Sequence, residues 1–188
     1  MLNSMKNVQN KQSNNAHEIA NVVTPGFKKS YSEQTQSLDV HIPGTFATRA
    51  MPVTNATNVV DMNPGALMVS GRALDVYVNT SGAIAVQGPE GQELYTRRGD
   101  LTISADGQLM TGTGSLVLGD GGPITVPGGS NISITNDGSV NMIPRGANAE
   151  VTVGRIKLVD TKDTEMLIRE DGLYQVREGA LPASADIT

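Results

Sequence analysis

Apolar and polar positions follow three different regimes along this chain. Over residues 4–23, Met5, Val8, Gln12, Ala16, Ile19 and Val23 recur at spacings of three and four, which lines them along one face of a helix. Pro25 and Gly26 close that helix, and Thr24 is biased out of the helical region by the proline that follows it. The stripe is narrow, with Gln12 interrupting it and Asn14 and Asn15 beside it. A helix of this length is marginal in water without tertiary support. The pattern therefore predicts a segment that frays alone and orders against partner helices.

From residue 28 to 66 no period is sustained, and Pro43-Gly44, Met51-Pro52 and Asn63-Pro64 punctuate polar sequence. Short pieces such as Phe46-Ala47-Thr48-Arg49 have strand character. The stretch is too long for an ordinary loop in a compact domain. It reads either as a disordered linker or as an extended arm that orders on a neighbour, and Phe27, Tyr31, Phe46 and several valines favour the arm.

After Gly65 short strands alternate with tight turns. Leu74-Asp75-Val76-Tyr77-Val78 has period two, and Ile84-Ala85-Val86, Leu94-Tyr95-Thr96-Arg97 and Leu101-Thr102-Ile103 follow. Asp-Gly pairs at 106–107, 137–138 and 171–172 sit between β-like runs, a strong hairpin signal because Gly accepts positive φ. No amphipathic helix interrupts the strands, which argues against an α/β fold. The expected fold is mainly β: a small irregular antiparallel domain, barrel or sandwich, preceded by an N-terminal α-helix and a long extended arm. The segments are 1–27 (helix and turn), 28–66 (arm), 67–178 (β-rich domain) and 179–188 (short tail).

Composition sharpens this picture. The 188 residues carry 14 Lys plus Arg against 19 Asp plus Glu, a formal charge of −5, which disfavours nucleic acid and anionic lipid as partners. Most of the negative balance lies in residues 61–150, where nine acids face four Arg and no Lys. With no Cys, disulfides, thiolate nucleophiles and Cys-based metal sites are excluded. No run reaches the length of a membrane span, and the residues after Met1 lack the apolar core of a cleaved signal peptide.

Candidate chemistry is sparse. His17-Glu18 does not continue into a zinc-protease motif, since Asn21 stands where the second His belongs, and His41 falls in patternless sequence. Asp106, Asp137 and Asp171 are accounted for by turns, and Asp75 by a strand. Gly119-Asp120-Gly121-Gly122 lacks the ending of a phosphate-binding loop and reads as a plain turn before Pro123. Arg97, Arg98 and Asp100 read as a solvated charged face. No catalytic residue, cofactor or metal ligand is expected, and the chain looks built to touch other proteins.

Specific strings then narrow the class. Ile19-Ala20-Asn21-Val22-Val23-Thr24-Pro25-Gly26-Phe27-Lys28 resembles the N-terminal signature of the bacterial flagellar basal-body rod and hook protein family. Gly71-Arg72-Ala73-Leu74-Asp75-Val76, Tyr95-Thr96-Arg97-Arg98-Gly99-Asp100-Leu101 and Asp106-Gly107-Gln108-Leu109 resemble, in order, the segment leading into that family's outer domain. Val117-Leu118-Gly119-Asp120-Gly121-Gly122-Pro123-Ile124 is similar to the proximal-rod branch more than the distal-rod one.

The resemblance implies a structural, non-enzymatic axial subunit. It implies export by the type III apparatus without a cleaved signal peptide, and polymerisation with itself and other rod subunits in the periplasmic space. It places Met5, Val8, Gln12, Ala16, Ile19, Ala20, Asn21 and Val23 in the inner helical layer and Thr24, Pro25, Gly26 and Phe27 in the turn leaving it. Gly71, Arg72, Leu74, Asp75 and Val76, with Tyr95, Thr96, Arg97, Gly99 and Leu101, become structural strands of the outer wall. Set against the family pattern, the long apolar C-terminal helix is absent, Leu181 and Ile187 being the only late large apolar residues. Ala83 and Ile84 stand where aromatic residues are usual. Other readings are a distal-rod or hook subunit of the same family, and a β-rich binding or adhesion module on a flexible stalk.

Overall fold

A computed structural model describes residues 2–31, 38–40, 48–50, 59–78, 81–177 and 183–184. Helix α1 spans Leu2–Ala20, ending earlier than the stripe suggests. Asn21 folds back there, its Nδ2 donating to the His17 carbonyl at 2.9 Å, and the chain turns before Pro25 is reached. The first strands are β1 (Ser30–Tyr31), β2 (Leu38–Val40), β3 (Thr48–Ala50) and β4 (Val59–Val60). Next come β5 (Gly82–Gln87), β6 (Glu93–Thr96), β7 (Leu101–Ile103), β8 (Leu109–Thr111), β9 (Leu118–Gly119) and β10 (Gly122–Pro123). The rest are β11 (Gly129–Ile134), β12 (Ser139–Pro144), β13 (Val151–Arg155), β14 (Leu158–Asp160), β15 (Met166–Ile168), β16 (Tyr174–Val176) and β17 (Ala183–Ser184).

The main sheet is eight-stranded, in the order β1-β4-β15-β16-β6-β5-β14-β17, and its pairs are antiparallel. A three-stranded sheet β11-β12-β13 and the pairs β2-β3, β7-β8 and β9-β10 complete the described strands. The mainly β fold with an N-terminal helix is thus observed, built around one large open sheet with smaller ones beside it.

All three Asp-Gly pairs form the expected hairpin turns, and they share one geometry. Gly107, Gly138 and Gly172 take φ of 79, 80 and 77°. Each donates to the carbonyl three residues back (Ser104, Thr135, Arg169), whose own N–H returns to the carbonyl beyond the glycine. This is the three-residue hairpin in which a glycine in the left-handed region forms the bulge.

Strand β5 shows how the sheet is stabilised. Alternate side chains point to opposite faces, and both faces are covered. Ile84 and Val86 enter a large cluster with Leu94, Leu101, Leu109, Val117, Val140 and Leu158. Ala83 and Ala85 enter a smaller one with Val60, Met62, Tyr95, Val159, Met166 and Tyr174. Ala85 stands opposite Tyr95, which stands opposite Tyr174, so a small side chain makes room for two rings in one row. Each fully buried Ile or Val here contributes roughly 1.5–3 kcal/mol.

Two expectations need correction. The arm is not wholly dependent on neighbours: β1 and β4 pair with each other, β4 joins β15 of the main sheet, and Val60 and Met62 are core residues. Phe46, Pro43-Gly44 and Met51-Pro52 lie outside the described residues, as does most of the 179–188 tail, of which Ala183–Ser184 pairs with β14. Finally, Leu74–Val78 is no regular strand, and neither is the stretch 71–76. Asp75 N donates to Arg72 O in a turn, and the backbone of this stretch pairs with its neighbour through the bridge Asp75–Asp100 and the bond from Val76 N to Gly99 O.

Candidate functional site

The family-like strings that lie far apart in sequence converge at Arg97. In β6, Leu94 belongs to the large cluster and Tyr95 to the small one. Arg97, two residues after Tyr95, therefore shares the face that looks toward Met62 and Tyr174. Its side chain is buried, with the residue only 8% exposed, which overturns its reading as a solvated surface charge. The guanidinium donates from Nη1 to the carbonyls of Val78 (3.1 Å) and Gly82 (2.5 Å), and from Nη2 to that of Met62 (2.9 Å). The planar fork of guanidinium N–H donors serves all three carbonyls at once. Burial lowers the Arg97 pKa, while Tyr174 and Tyr77 act in the opposite sense. The guanidinium's very high intrinsic pKa keeps it charged regardless.

The backbone of Arg97 receives the turn that ends the helical segment. Gly26 has φ 71°, and a Cβ on it would lie 2.2 Å from Arg97 O, so both conformation and space demand glycine. The turn is closed by Thr24 N donating to Asn21 O (2.9 Å) and Phe27 N to Thr24 O (3.2 Å). Tyr174 Oη lies 3.5 Å from Gly26 O, and burial pushes this phenol up to about 12. Next to it, Lys28 Nζ donates to the Asn63 carbonyl. Its pKa is lowered by burial and by nearby Arg97, with Asp61 opposing. Asp61 N in turn donates to Lys29 O at 2.9 Å. Both ends of the arm are thus fastened to the β domain at one place.

A second latch lies beside it. Gly99 has Val76 O so close that a Cβ would sit 1.8 Å from it. Arg72 Nη2 donates to Leu101 O at 3.1 Å, and Arg98 grips Asp100 through two bonds of 2.9 and 2.6 Å. The Arg98 guanidinium holds the Asp100 carboxyl below its ordinary value. The Asp75 carboxylate stays 3.6 Å from Arg72 Nε.

The structure divides the sequence-selected residues into two groups. Thr24, Gly26, Phe27, Tyr95, Thr96, Arg97, Gly99 and Leu101 are buried or half-buried around the junction, and Leu74, Asp75 and Val76 pack beside it. Met5, Val8, Gln12, Ala16, Ile19, Ala20 and Val23 are all exposed, as is Pro25, with Ile19 at 73%. Helix α1 approaches the rest of the chain near its end, where the His17 and Phe27 rings are 5.6 Å apart and Glu18 lies 4.0 Å from Lys29. Sequence reasoning passed over Lys28, Met62, Gly82 and Tyr174 as junction residues. The available signal was Arg97 itself, a charge at the inward position of an alternating strand.

Among the described residues no group of three or more His, Cys, Asp or Glu could hold a metal ion, and no helix is long and apolar enough to cross a membrane. The family model of the flagellar hook protein FlgE/F/G D1 domain matches residues 77–142, the heart of the β domain. The chain is 39% identical over 170 residues to the flagellar basal-body rod protein FlgF of Salmonella typhimurium, covering 89% of this chain and 66% of that protein. It is 32% identical to FlgF of Caulobacter vibrioides, with 89% of this chain and 67% of the relative covered. To the rod protein FlgG of Buchnera aphidicola it is 31% identical, over 77% of this chain and 60% of the relative. The chain thus spans about two thirds of the length of the FlgF relatives it matches. The motifs that meet at Arg97 and these matches lead to one conclusion: the chain belongs to the flagellar basal-body rod protein family.

Proposed function

We propose that the chain is a structural subunit of the flagellar rod, in its proximal part, polymerising with itself and with other rod subunits into the torque-transmitting shaft. In this reading the β domain forms wall, α1 supplies the inner helical layer, and the Arg97 junction fixes the direction in which the helix leaves the wall. The subunit reaches the periplasmic space through the type III export apparatus without a cleaved signal peptide, and works with no cofactor and no catalytic residue. The observation that carries the reading is the exposed stripe Met5, Val8 and Ile19 on a helix rooted in a self-sufficient sheet. Apolar surface of that kind on a soluble chain marks an interaction site. The proximal assignment is supported by the 39% identity to FlgF of Salmonella typhimurium, against 31% to FlgG of Buchnera aphidicola.

Head-to-tail contacts of one subunit on the next need not close, so the shaft grows until another component intervenes. Torque is then carried by many wall contacts rather than by one pocket. The test is Ile19→Asp. Because Ile19 touches solvent in the lone chain, the variant should keep the stability of the β domain within about 0.5 kcal/mol and lose incorporation into rods. Incorporation at the unchanged level contradicts the reading.

A further inference from the structure

Besides the three Asp-Gly pairs that turn the hairpins at 106–107, 137–138 and 171–172, the chain holds Asp120-Gly121. This pair forms the two-residue tip between β9 and β10, where Gly119 stands opposite Gly122. Both tip residues are exposed. Among the described residues none hydrogen-bonds to the Asp120 carboxylate or to the Gly121 amide. A Cβ placed on Gly121 would meet nothing within 4 Å. Glycines at 119, 121 and 122 give the backbone around this carboxylate wide torsional freedom. The foot of the hairpin is fastened separately, by Lys157 N donating to Leu118 O (2.9 Å) and Ile124 N to Val117 O (3.1 Å). The tip can therefore change shape without its strands.

The other three pairs are held. Gly107, Gly138 and Gly172 donate their amides to carbonyls at 3.0, 2.9 and 3.1 Å. The Asp137 carboxylate accepts from the Thr135 and Ser139 hydroxyls, which bring its pKa down to about 2. Asp171 accepts from Leu173 N (3.0 Å) and Arg169 Nε (3.2 Å). At Asp106 the following glycine is crowded: a Cβ on Gly107 would lie 2.8 Å from Val126 O, and Val126 N donates to Gly107 O at 2.7 Å.

We infer that Asp120-Gly121 is a self-modification site, at which the folded chain converts aspartate to isoaspartate. The Gly121 nitrogen attacks the neutral Asp120 carboxyl at Cγ and a C–N bond forms. The carboxyl hydroxyl leaves with the amide proton as water, and a five-membered succinimide remains. Water then adds to one of the two ring carbonyls. Opening at Cγ restores aspartate. Opening at the main-chain carbonyl breaks the original peptide C–N bond and leaves isoaspartate, with the chain running through Cγ. One water leaves and one returns, so no oxidant, enzyme or cofactor takes part. The reaction needs a free carboxyl, a free amide nitrogen and a backbone able to bring them together, and of the four pairs Asp120-Gly121 alone meets all three conditions.

The four pairs share the same two reacting residues, so comparing them within one chain isolates the effect of the fold. The full chain is aged in warm buffer at neutral pH and digested. Electron-transfer fragmentation then distinguishes isoaspartate from aspartate at each pair. A pair whose glycine amide must first leave its carbonyl is slowed by the net worth of one hydrogen bond, roughly fivefold. At least that excess of isoaspartate is expected at 120–121. In unfolding urea, where all four amides are released, the yields should even out. Equal yields in the folded chain, or a higher yield at 106–107, 137–138 or 171–172, overturn the inference. So does an excess at 120–121 that persists undiminished in urea, which would trace it to the flanking residues and not to the fold.

Discussion

Helix α1 carries an apolar stripe on one face and strand β5 is apolar on both, yet their fates are opposite. In β5 Ala83, Ile84, Ala85 and Val86 are all fully buried, small side chains against the tyrosine row and large ones in the main cluster. In α1 the stripe from Met5 to Ile19 faces water. The difference teaches that an amphipathic period states only that a face will be covered, not by what. The sheet finds its cover within the chain because hairpins bring complementary faces together locally. The helix ends in a turn pinned to Arg97, which holds its root and leaves its face unoccupied.

The contrast is broken hardest by core truncation. Ile84→Ala should cost about 2–5 kcal/mol in denaturant unfolding, whereas Ile19→Ala should stay within about 0.5 kcal/mol in the isolated chain. A smaller loss is expected from Arg97→Ala, which leaves the carbonyls of Val78, Gly82 and Met62 without their charged donor. The cost is about 3 kcal/mol, and amides at 27–31 and 59–62 should lose protection from hydrogen exchange first. Arg97→Lys should restore only part, since a compact ammonium does not reproduce the two separated nitrogens that the guanidinium aims at these carbonyls. Gly26→Ala should add a positive-φ cost of about 1–2 kcal/mol to the clash with Arg97 O, freeing the turn without melting β5.

The smallest effect expected is a pH dependence. Arg98 lowers the Asp100 pKa, so the stability this pair contributes is complete above the unfolded carboxyl value near 3.9. It is lost as pH falls through the depressed folded value. Asp100→Asn should flatten that part of the acid unfolding curve and leave the neutral-pH contrast between helix and sheet intact.

What could be read from the sequence divides along the same line. The hairpins at 106–107, 137–138 and 171–172 were legible because Asp-Gly chemistry is local, and so was the helix from its spacing, although it ends at Ala20, ahead of the Pro25-Gly26 stop. Arg97 was not, because burial of a charge depends on carbonyls from residues 62, 78 and 82 that only the fold assembles. The pairing of β1 with β4 across the arm was equally hidden, two-residue strands having no period to detect. Leu74–Val78 misled for the opposite reason: its alternation is strand-like, but the Arg72–Asp75 turn and the close approach at Gly99 restrict its pairing. At the candidate site, the motif strings located the right segments, while the reason they matter, that Gly26 and Gly99 each touch a backbone carbonyl, required coordinates.

The decisive measurement is residue-resolved hydrogen exchange on the lone chain and on the chain mixed with rod subunits. Expected in the lone chain are protected amides at 83–87 and 94–96 and weak protection over 5–20, with strong protection over 5–20 appearing on mixing. Protection over 5–20 equal to that of β5 in the lone chain, unchanged on mixing, would contradict a helix whose covering surface comes from other subunits.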